Sequence, residues 1–467
     1  MTVINIVLGF LGLGIVVFVH ELGHFLAARA MGIDVEAFSI GWGKPILRKK
    51  IGAVEYRIGM FPLGGYCKMK DESGFQSGDQ PLLSKPNAGQ PEESPPVFEK
   101  GSYMAASPLR RIVVCFAGPL FNLLFAAVVL SFVWGAGFET STLENRIVLA
   151  SDIDTGAVYP ADEAGLKTGD RIIEINGNKT ANYHEIQENI AANAEALLNF
   201  KVERNGAVKD LQVRPALDKS TGAGKIGVYF WTDPVIASVA GGSPAEKAGL
   251  QPSDRILRVN GENFPYSVAI LSVMKHQPET LALEYERNGT VEQTEIALAA
   301  GGLATGGAGE SDIGITYEGI TYKSPRLSPI AALGKGLSET AKTFSVSVKS
   351  LGLLFRGIDL TKAVSGPIRI TYMTGDIAVA SFSQSVGAGF RSVGNFLSLI
   401  SIALCIMNLL PIPIVDGGMI VLFIIEGIRH RPLPPRFVQI FQTVGVVLIL
   451  SLMLFAVYGD ILFLVQR

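Results

Sequence analysis

Four apolar segments, each long enough to cross about 30 Å of hydrocarbon, tie this 467-residue chain to a fold built around membrane helices. They run roughly from Val3 to Ala28, Ile112 to Phe138, Phe396 to Ile425 and Phe437 to Val465, leaving a long polar middle. Hydrophobic residues make up 48% and charged residues 18%, as fits a membrane protein with a sizeable water-soluble part. The net charge of −2 gives no sign of nucleic-acid binding. Cys67, Cys115 and Cys405 all lie outside the polar middle, so no disulfide framework holds that part. The first segment lacks the basic start of a signal peptide, since its first positive charge is Arg29.

Four spans put both termini on one side. Arg29, Lys44, Arg48, Lys49 and Lys50 follow the first span, Arg110 and Arg111 precede the second, and Arg429, Arg431 and Arg436 lie between the last two. By the positive-inside rule those loops are cytoplasmic. The termini and the region from about Glu139 to Leu327 then lie outside, which is the periplasm if the membrane is a Gram-negative inner membrane.

His20-Glu21-Leu22-Gly23-His24 ends the first apolar run, which holds no charged residue before Glu21. On a helix, residues four apart share one face, so both imidazoles reach one cation while the carboxylate between them sits beside a metal-bound water. Ionisable groups in lipid are costly and point to function; a chance pattern on a signal peptide or helix cap is the plain alternative. A metal site needs a third ligand. Asn408-Leu-Leu-Pro-Ile-Pro-Ile-Val-Asp-Gly-Gly418 lies in the third span, where Asp416 is the only acidic residue between Phe396 and Ile425. As a structural group Asp416 would need an inward-facing partner; as a zinc ligand its charge is neutralised by the metal. Pro411 and Pro413 break the helix ahead of it and free the backbone to turn the carboxylate toward the first span.

The middle is an internal repeat. Val158 to Gly177 (Val-Tyr-Pro-Ala-Asp-Glu-Ala-Gly-Leu-Lys-Thr-Gly-Asp-Arg-Ile-Ile-Glu-Ile-Asn-Gly) matches Gly242 to Gly261, and Glu203-Arg-Asn-Gly206 matches Glu286-Arg-Asn-Gly289. Each copy has a short helix ending in Ala-Gly-Leu, an Asp-Arg-Ile turn into an alternating strand, and an Asn-Gly hairpin signal. This pattern resembles tandem PDZ domains of the circularly permuted bacterial kind, which either take an extended peptide on a strand edge or act as a rigid size filter. His184 and His276 have no metal-ligand companions and read as surface or hairpin residues; the Gly-rich run from Ala299 to Gly309 reads as a flexible insertion.

With these motifs the chain resembles the site-2 protease family of intramembrane zinc metalloproteases. His20-Glu21-x-x-His24 matches the family's metal motif, Asn408-x-x-Pro411-x-Pro413-x-x-Asp416-Gly417 its second motif, and Gly118-Pro119-Leu-Phe-Asn122 a further element. Two PDZ modules between the second and third spans narrow the resemblance to the bacterial sigma-E regulators of that family. Many relatives carry a His after Asp-Gly-Gly, where this chain has Met419. The resemblance implies that His20, His24 and Asp416 hold Zn2+ with a fourth position open to water, and that Glu21 is the general base. Asn408 and Asn122 either hydrogen-bond the substrate backbone or oxyanion, or satisfy a neighbouring helix. It further implies a membrane-associated β-loop at about residues 51–70, where Ala53 to Met69 carries strand-like runs broken by Pro62 and Gly64-Gly65. An edge strand there could pair with an unwound substrate, with an ordinary cytoplasmic hairpin as the alternative.

The expected fold is a membrane α-helical protein of four transmembrane helices, with two inserted β-rich PDZ modules outside and a membrane-associated β-hairpin on the cytoplasmic side. Its expected divisions are transmembrane helices at 1–30, 108–138, 391–427 and 437–467, a cytoplasmic loop at 31–107, PDZ modules at 139–220 and 221–325, an amphipathic helix and linker at 326–390, and a short cytoplasmic loop at 428–436. Asp71 to Ser107, rich in Pro, Ser and Gly, reads as a loop with little structure. Ile330, Leu333, Leu337, Phe344, Val348, Leu351 and Phe355 recur at helical steps, on a helix lying on the outer membrane face or against a PDZ module. Ser365-Gly366-Pro367 marks a turn before a mobile connection.

The leading function is a zinc protease that cuts single-span membrane proteins after an earlier cut has shortened their outer domain, with the PDZ pair excluding bulky substrates. The resemblance implies an anti-sigma factor and signal peptide remnants as substrates, membrane lipid as surroundings, and no nucleic acid. A non-enzymatic scaffold would be expected to have lost His20, Glu21, His24 or Asp416. A metal transporter would be expected to carry polar residues along more of its spans.

Overall fold

The computed structural model describes residues 3–72, 100–154, 156–219, 221–274, 279–298, 313–353, 366–431 and 433–465. Most of the expected loop before Ser107, His276, the Gly-rich run from Ala299 to Gly309, Phe355 and Ser365 lie outside the described residues. The chain divides into two compact units, a helical one of Met1–Phe138, Ser324–Leu351 and Leu360–Arg467, and a β-rich one of Glu139–Lys323 and Gly352–Asp359.

Helix α1 (Val3–Ala30) buries one side only. Val16, His20, His24 and Ala28 face inward at four-residue steps, while Val7, Leu11, Ile15 and Leu26 are exposed. Exposed apolar side chains on a helix this long fit a lipid solvent, in which only the interior face needs protein partners. Helix α2 (Pro108–Ala136) opens on Pro108, whose missing N–H is one of the unpaired groups of a first turn. Among the described residues, four helices are long and apolar enough to cross a membrane: these two and the stretches Val386–Leu409 and Arg436–Ile461.

The hairpin is longer than expected. Strand β1 (Val35–Ile51) pairs antiparallel with β2 (Val54–Met69), and Ile51 faces Val54 across a Gly52-Ala53 turn. The expected hairpin at 51–70 is thus the turn and second strand alone. Lys44, Arg48, Lys49 and Lys50 gave the first strand the look of a solvated loop. At its base, Val35, Phe38, Val54 and Cys67 pack with Phe25 and Ala28 of α1.

Helix α3 (Pro329–Leu353) occupies the expected amphipathic segment, and of its expected apolar stripe Phe344 and Leu351 pack against the cluster of Ala126, Ile402 and Ile406. Ala332, Gly336 and Thr340 are buried, and a side chain on Gly336 would strike Ser131 and Ala127 of α2. Ile330, Leu333 and Leu337 remain exposed. Small residues let two backbones approach closely, which a count of large apolar residues overlooks. The connection expected after Pro367 is also a helix, α4 (Pro367–Gln384), where Gly9 of α1 lies against Thr371. It escapes sequence reading because Arg369, Thr371, Thr374 and Asp376 interrupt its apolar period. Helix α5 (Val386–Leu409) then ends at Leu410, and α6 (Asp416–Arg429) restarts after a six-residue break, so the expected third span is two helices. Helix α7 (Pro435–Val465) exposes most of its surface, yet holds a fully buried Asp460. That carboxylate accepts the N–H groups of Gly366, Ile368 and Arg369 at the start of α4. Polar groups in the apolar helices are therefore not confined to one place.

The β-rich unit repeats in structure as in sequence. In the first module β3 (Arg171–Ile175), β4 (Asn178–Lys179), β5 (Leu198–Arg204) and β6 (Ala207–Val213) form a sheet in the order β4-β3-β5-β6. In the second, β7 (Arg255–Val259), β8 (Glu262–Asn263), β9 (Thr280–Arg287) and β10 (Thr290–Ala297) follow the same order, β8-β7-β9-β10. Asn176-Gly177, Asn205-Gly206, Asn260-Gly261 and Asn288-Gly289 all have positive φ at both residues, the geometry of a tight hairpin turn. Residues 147–149 pair with 228–230, and 236–239 with 315–317, so the opening strand of each module joins its closing strand. His184 is exposed and pairs with Glu188.

Candidate metal centre

Helix α1 carries His20, Glu21 and His24 against α2 because two glycines let it. A Cβ on Gly23 would meet the carbonyl of Ala117, and one on Gly118 would strike both imidazoles. His24 Nδ1 lies 2.8 Å from the carbonyl oxygen of Val114. A carbonyl only accepts, so the ring donates from Nδ1, and in its neutral form, the one that binds a metal, it keeps its lone pair on Nε2. That Nε2 stands 3.1 Å from His20 Nε2.

Asp416 arrives from the break between α5 and α6. Leu410 ends the first helix, Pro411 and Pro413 follow, and Ile414 sits at φ +79°, a conformation rare for a β-branched residue and typical of strained functional turns. Side chains on Gly417 or Gly418 would collide with the backbone of Leu410 and Ile412, so this tight turn requires both glycines. Asp416 Oδ2 comes 3.2 Å from His20 Nε2, and Oδ1 comes 3.5 Å from His24 Nε2. The three side chains each offer a ligand atom within 4.8 Å of the others.

The donor set fits a divalent cation. Asp416 Oδ2 is buried with no hydrogen-bond partner, which is costly for a carboxylate unless a cation neutralises it. Two imidazole nitrogens and a carboxylate are ligands that zinc takes readily. Cys67 and Cys115 line the same cavity, but burial pushes the Cys67 thiol well above its usual range, which disfavours the thiolate a metal would need.

The cavity has a volume of about 450 Å³. Glu21, Gly65, Trp42 and Asn408 line it together with the three candidate ligands. Asn408 is half-buried with its amide nitrogen 3.5 Å from His20 Nε2, whereas Asn122 is fully buried and lies against the other ring nitrogen, 3.2 Å from Nδ1. A side chain on Gly65 would press on Glu21, and one on Gly64, at φ +91°, would strike Trp42. Met419 also faces the cavity.

Sequence reading missed two groups here. Glu72 lines the cavity just past β2, and burial pushes its carboxyl up to about 7. Arg111 donates to Glu426 at 2.6 Å and to the carbonyl of Ala106, and its guanidinium lies 4.5 Å from the centre of the Phe423 ring. This ties α2 to α6, the helix that Asp416 opens. Arg111 reads in sequence only as a topology charge, and no signal there joins it to Glu426.

The model of peptidase family M50 matches residues 8–452. The chain belongs to peptidase family M50. A candidate zinc metalloprotease of Treponema pallidum is 37% identical over 99% of each chain. The regulator of sigma E protease of Haemophilus influenzae is 30% identical over 97% of each, and the protease RseP of Yersinia pestis 29% identical over 96% of each. The chain is a zinc metalloprotease of the site-2 type, a membrane protein with inserted β-rich regions.

Proposed function

We propose that this protein cuts single-span membrane proteins within or near the bilayer, at zinc held by His20, His24 and Asp416 with Glu21 as general base. The observation that carries this is the meeting of two imidazole nitrogens and an unpartnered carboxylate beside Glu21, in a cavity among membrane helices. Bound there, the ion supplies Lewis acidity and lowers the pKa of a water toward neutrality. Glu21 takes the proton of the attacking water and passes it to the leaving amine. Asn408 lines the cavity and donates to the scissile carbonyl oxygen as it gains charge.

A transmembrane helix hides its peptide bonds in its own hydrogen bonds, so the substrate must be unwound at the cut. Gly65, Tyr66 and Cys67 of β2 line the cavity, and pairing with that strand would hold a substrate segment extended. The repeated modules are read as a PDZ pair that excludes proteins with bulky outer domains. The bacterial relatives support an inner-membrane location, and the cation pattern supports both termini and both modules in the periplasm with the hairpin on the cytoplasmic side. One proposed substrate is an anti-sigma factor already cut in its outer domain, a reading in keeping with the name of the Haemophilus relative as a regulator of sigma E. Signal peptide remnants, already short outside, are a second class.

Co-expression with a tagged single-span substrate lacking its outer domain tests this. The wild type should cleave it, and Glu21→Gln and Asp416→Asn should leave it whole. An intact substrate beside zinc-loaded wild type would overturn the reading that shortened single-span proteins are its substrates.

A further inference from the structure

The two asparagines near His20 hold opposite positions. Asn408 lines the cavity, whereas Asn122 sits on α2 at zero exposure against the ring edge that carries Nδ1. A neutral imidazole has one proton, so a His whose Nε2 faces a metal must carry it on Nδ1, next to an acceptor. Val114 provides that acceptor for His24. Asn122 is the partner of His20 Nδ1 among the described residues, at 3.2 Å. The atom facing the ring is the amide nitrogen, which only donates, while Asn122 Oδ1 is buried without a partner. Two donors would face each other there, with an unused acceptor one bond away. Amide oxygen and nitrogen have nearly the same shape, so the hydrogen bonding alone decides which faces the ring.

We propose that Asn122 Oδ1, with the amide turned half a turn, accepts the Nδ1–H of His20 and locks the ring with its Nε2 lone pair toward the metal. The proposal rests on the zinc reading above and makes Asn122 a positioning residue rather than a substrate contact. Position supports it as well as chemistry. The hydroxyl of Ser401, itself fully buried on α5, donates to the backbone carbonyl of Asn122 at 2.9 Å and fixes α2 at this residue.

The test is zinc affinity of the purified full-length protein, measured by competition with a chelator, for wild type, Asn122→Leu, Asn122→Asp and His24→Ala. Leu has a similar volume and no acceptor; Asp offers acceptors only. Asn122→Leu should bind zinc about 10- to 100-fold more weakly, the usual range for loss of a group that orients a metal ligand. Asn122→Asp should hold zinc as the wild type does, with both variants showing the wild-type melting temperature in metal-free form. Full zinc affinity in Asn122→Leu would overturn the proposal. So would equal weakening by Asp and Leu, because His20 would then need the amide N–H or its packing. A wild type that binds no zinc, like His24→Ala, would instead overturn the metal reading on which the proposal stands.

Discussion

In the β-rich unit a buried aspartate is satisfied by its own chain; in the helical unit Asp416 is not. Asp170 is almost fully buried, and its two oxygens accept the Nε and Nη2 hydrogens of Arg204 at 2.7 Å and the N–H of Lys167. The second module repeats this with Asp254, Arg287 and the N–H of Gln251. Each of these arginines also donates to a carbonyl just after its short helix, Gly165 or Gly249. Asp416 faces only imidazole nitrogens and keeps Oδ2 without a partner. A carboxylate closed off by a guanidinium and backbone N–H groups is a fastener. One held open toward two imidazole nitrogens has the placement of a metal ligand. The same residue type therefore reads as scaffold where both oxygens are filled, as at Asp170, Asp254 and Asp460 of the helical unit, and as a candidate ligand where one oxygen is left open.

That contrast breaks first if Asp416→Asn keeps its metal. This substitution should abolish both zinc binding and proteolysis without unfolding the protein, as read by metal analysis beside a cleavage assay. Glu21→Gln sharpens it: zinc should stay bound while cleavage falls about 10²- to 10⁴-fold, the contribution typical of a positioned general base. Full activity in this variant would remove Glu21 from its role. Asp170→Ala or Asp254→Ala should do the reverse, leaving zinc in place and destabilising its module by about 1–3 kcal/mol, as the half-buried arginine and a backbone N–H lose their charged acceptor. Differential scanning calorimetry with metal analysis separates the two kinds of loss; a zinc-free Asp170→Ala would erase the distinction. The smallest effect belongs to Glu72. Because burial raises its folded pKa to about 7, the folded protein keeps this proton at pH values where the unfolded chain has released it, and the resulting stability is lost as pH rises through about 7. Glu72→Gln should therefore lose less stability between about pH 6 and pH 8, ending ~1 kcal/mol ahead at the higher pH, with thermal melts across that range as the check.

Spacing carried far more of this molecule than composition did. His20, Glu21 and His24 were legible because helical periodicity fixes which residues share a face, and Asp416 because a lone acid in an apolar run needs a reason. The Asn-Gly turns and the module repeat were legible because local backbone chemistry alone specifies them. What sequence hid depends on contact between distant segments. Ala332, Gly336 and Thr340 belong to the inner face of α3 because their smallness matches α2, while Ile330, Leu333 and Leu337 face outward. The cationic run from Lys44 to Lys50 disguised a strand whose edge residues are free to be charged. Gly118 matters only because two imidazoles from another helix lie upon it, and Asn122 only because of the ring nitrogen it meets.

The coordination of zinc itself tests the centre most directly, by X-ray absorption at the zinc edge on the purified wild-type protein. The expected first shell holds only nitrogen and oxygen, at about 2.0–2.2 Å, with the outer-shell scattering of two imidazoles. A sulfur ligand at about 2.3 Å, supplied by Cys67 or Cys115 of the same cavity, or a single imidazole, would contradict the assignment of His20, His24 and Asp416.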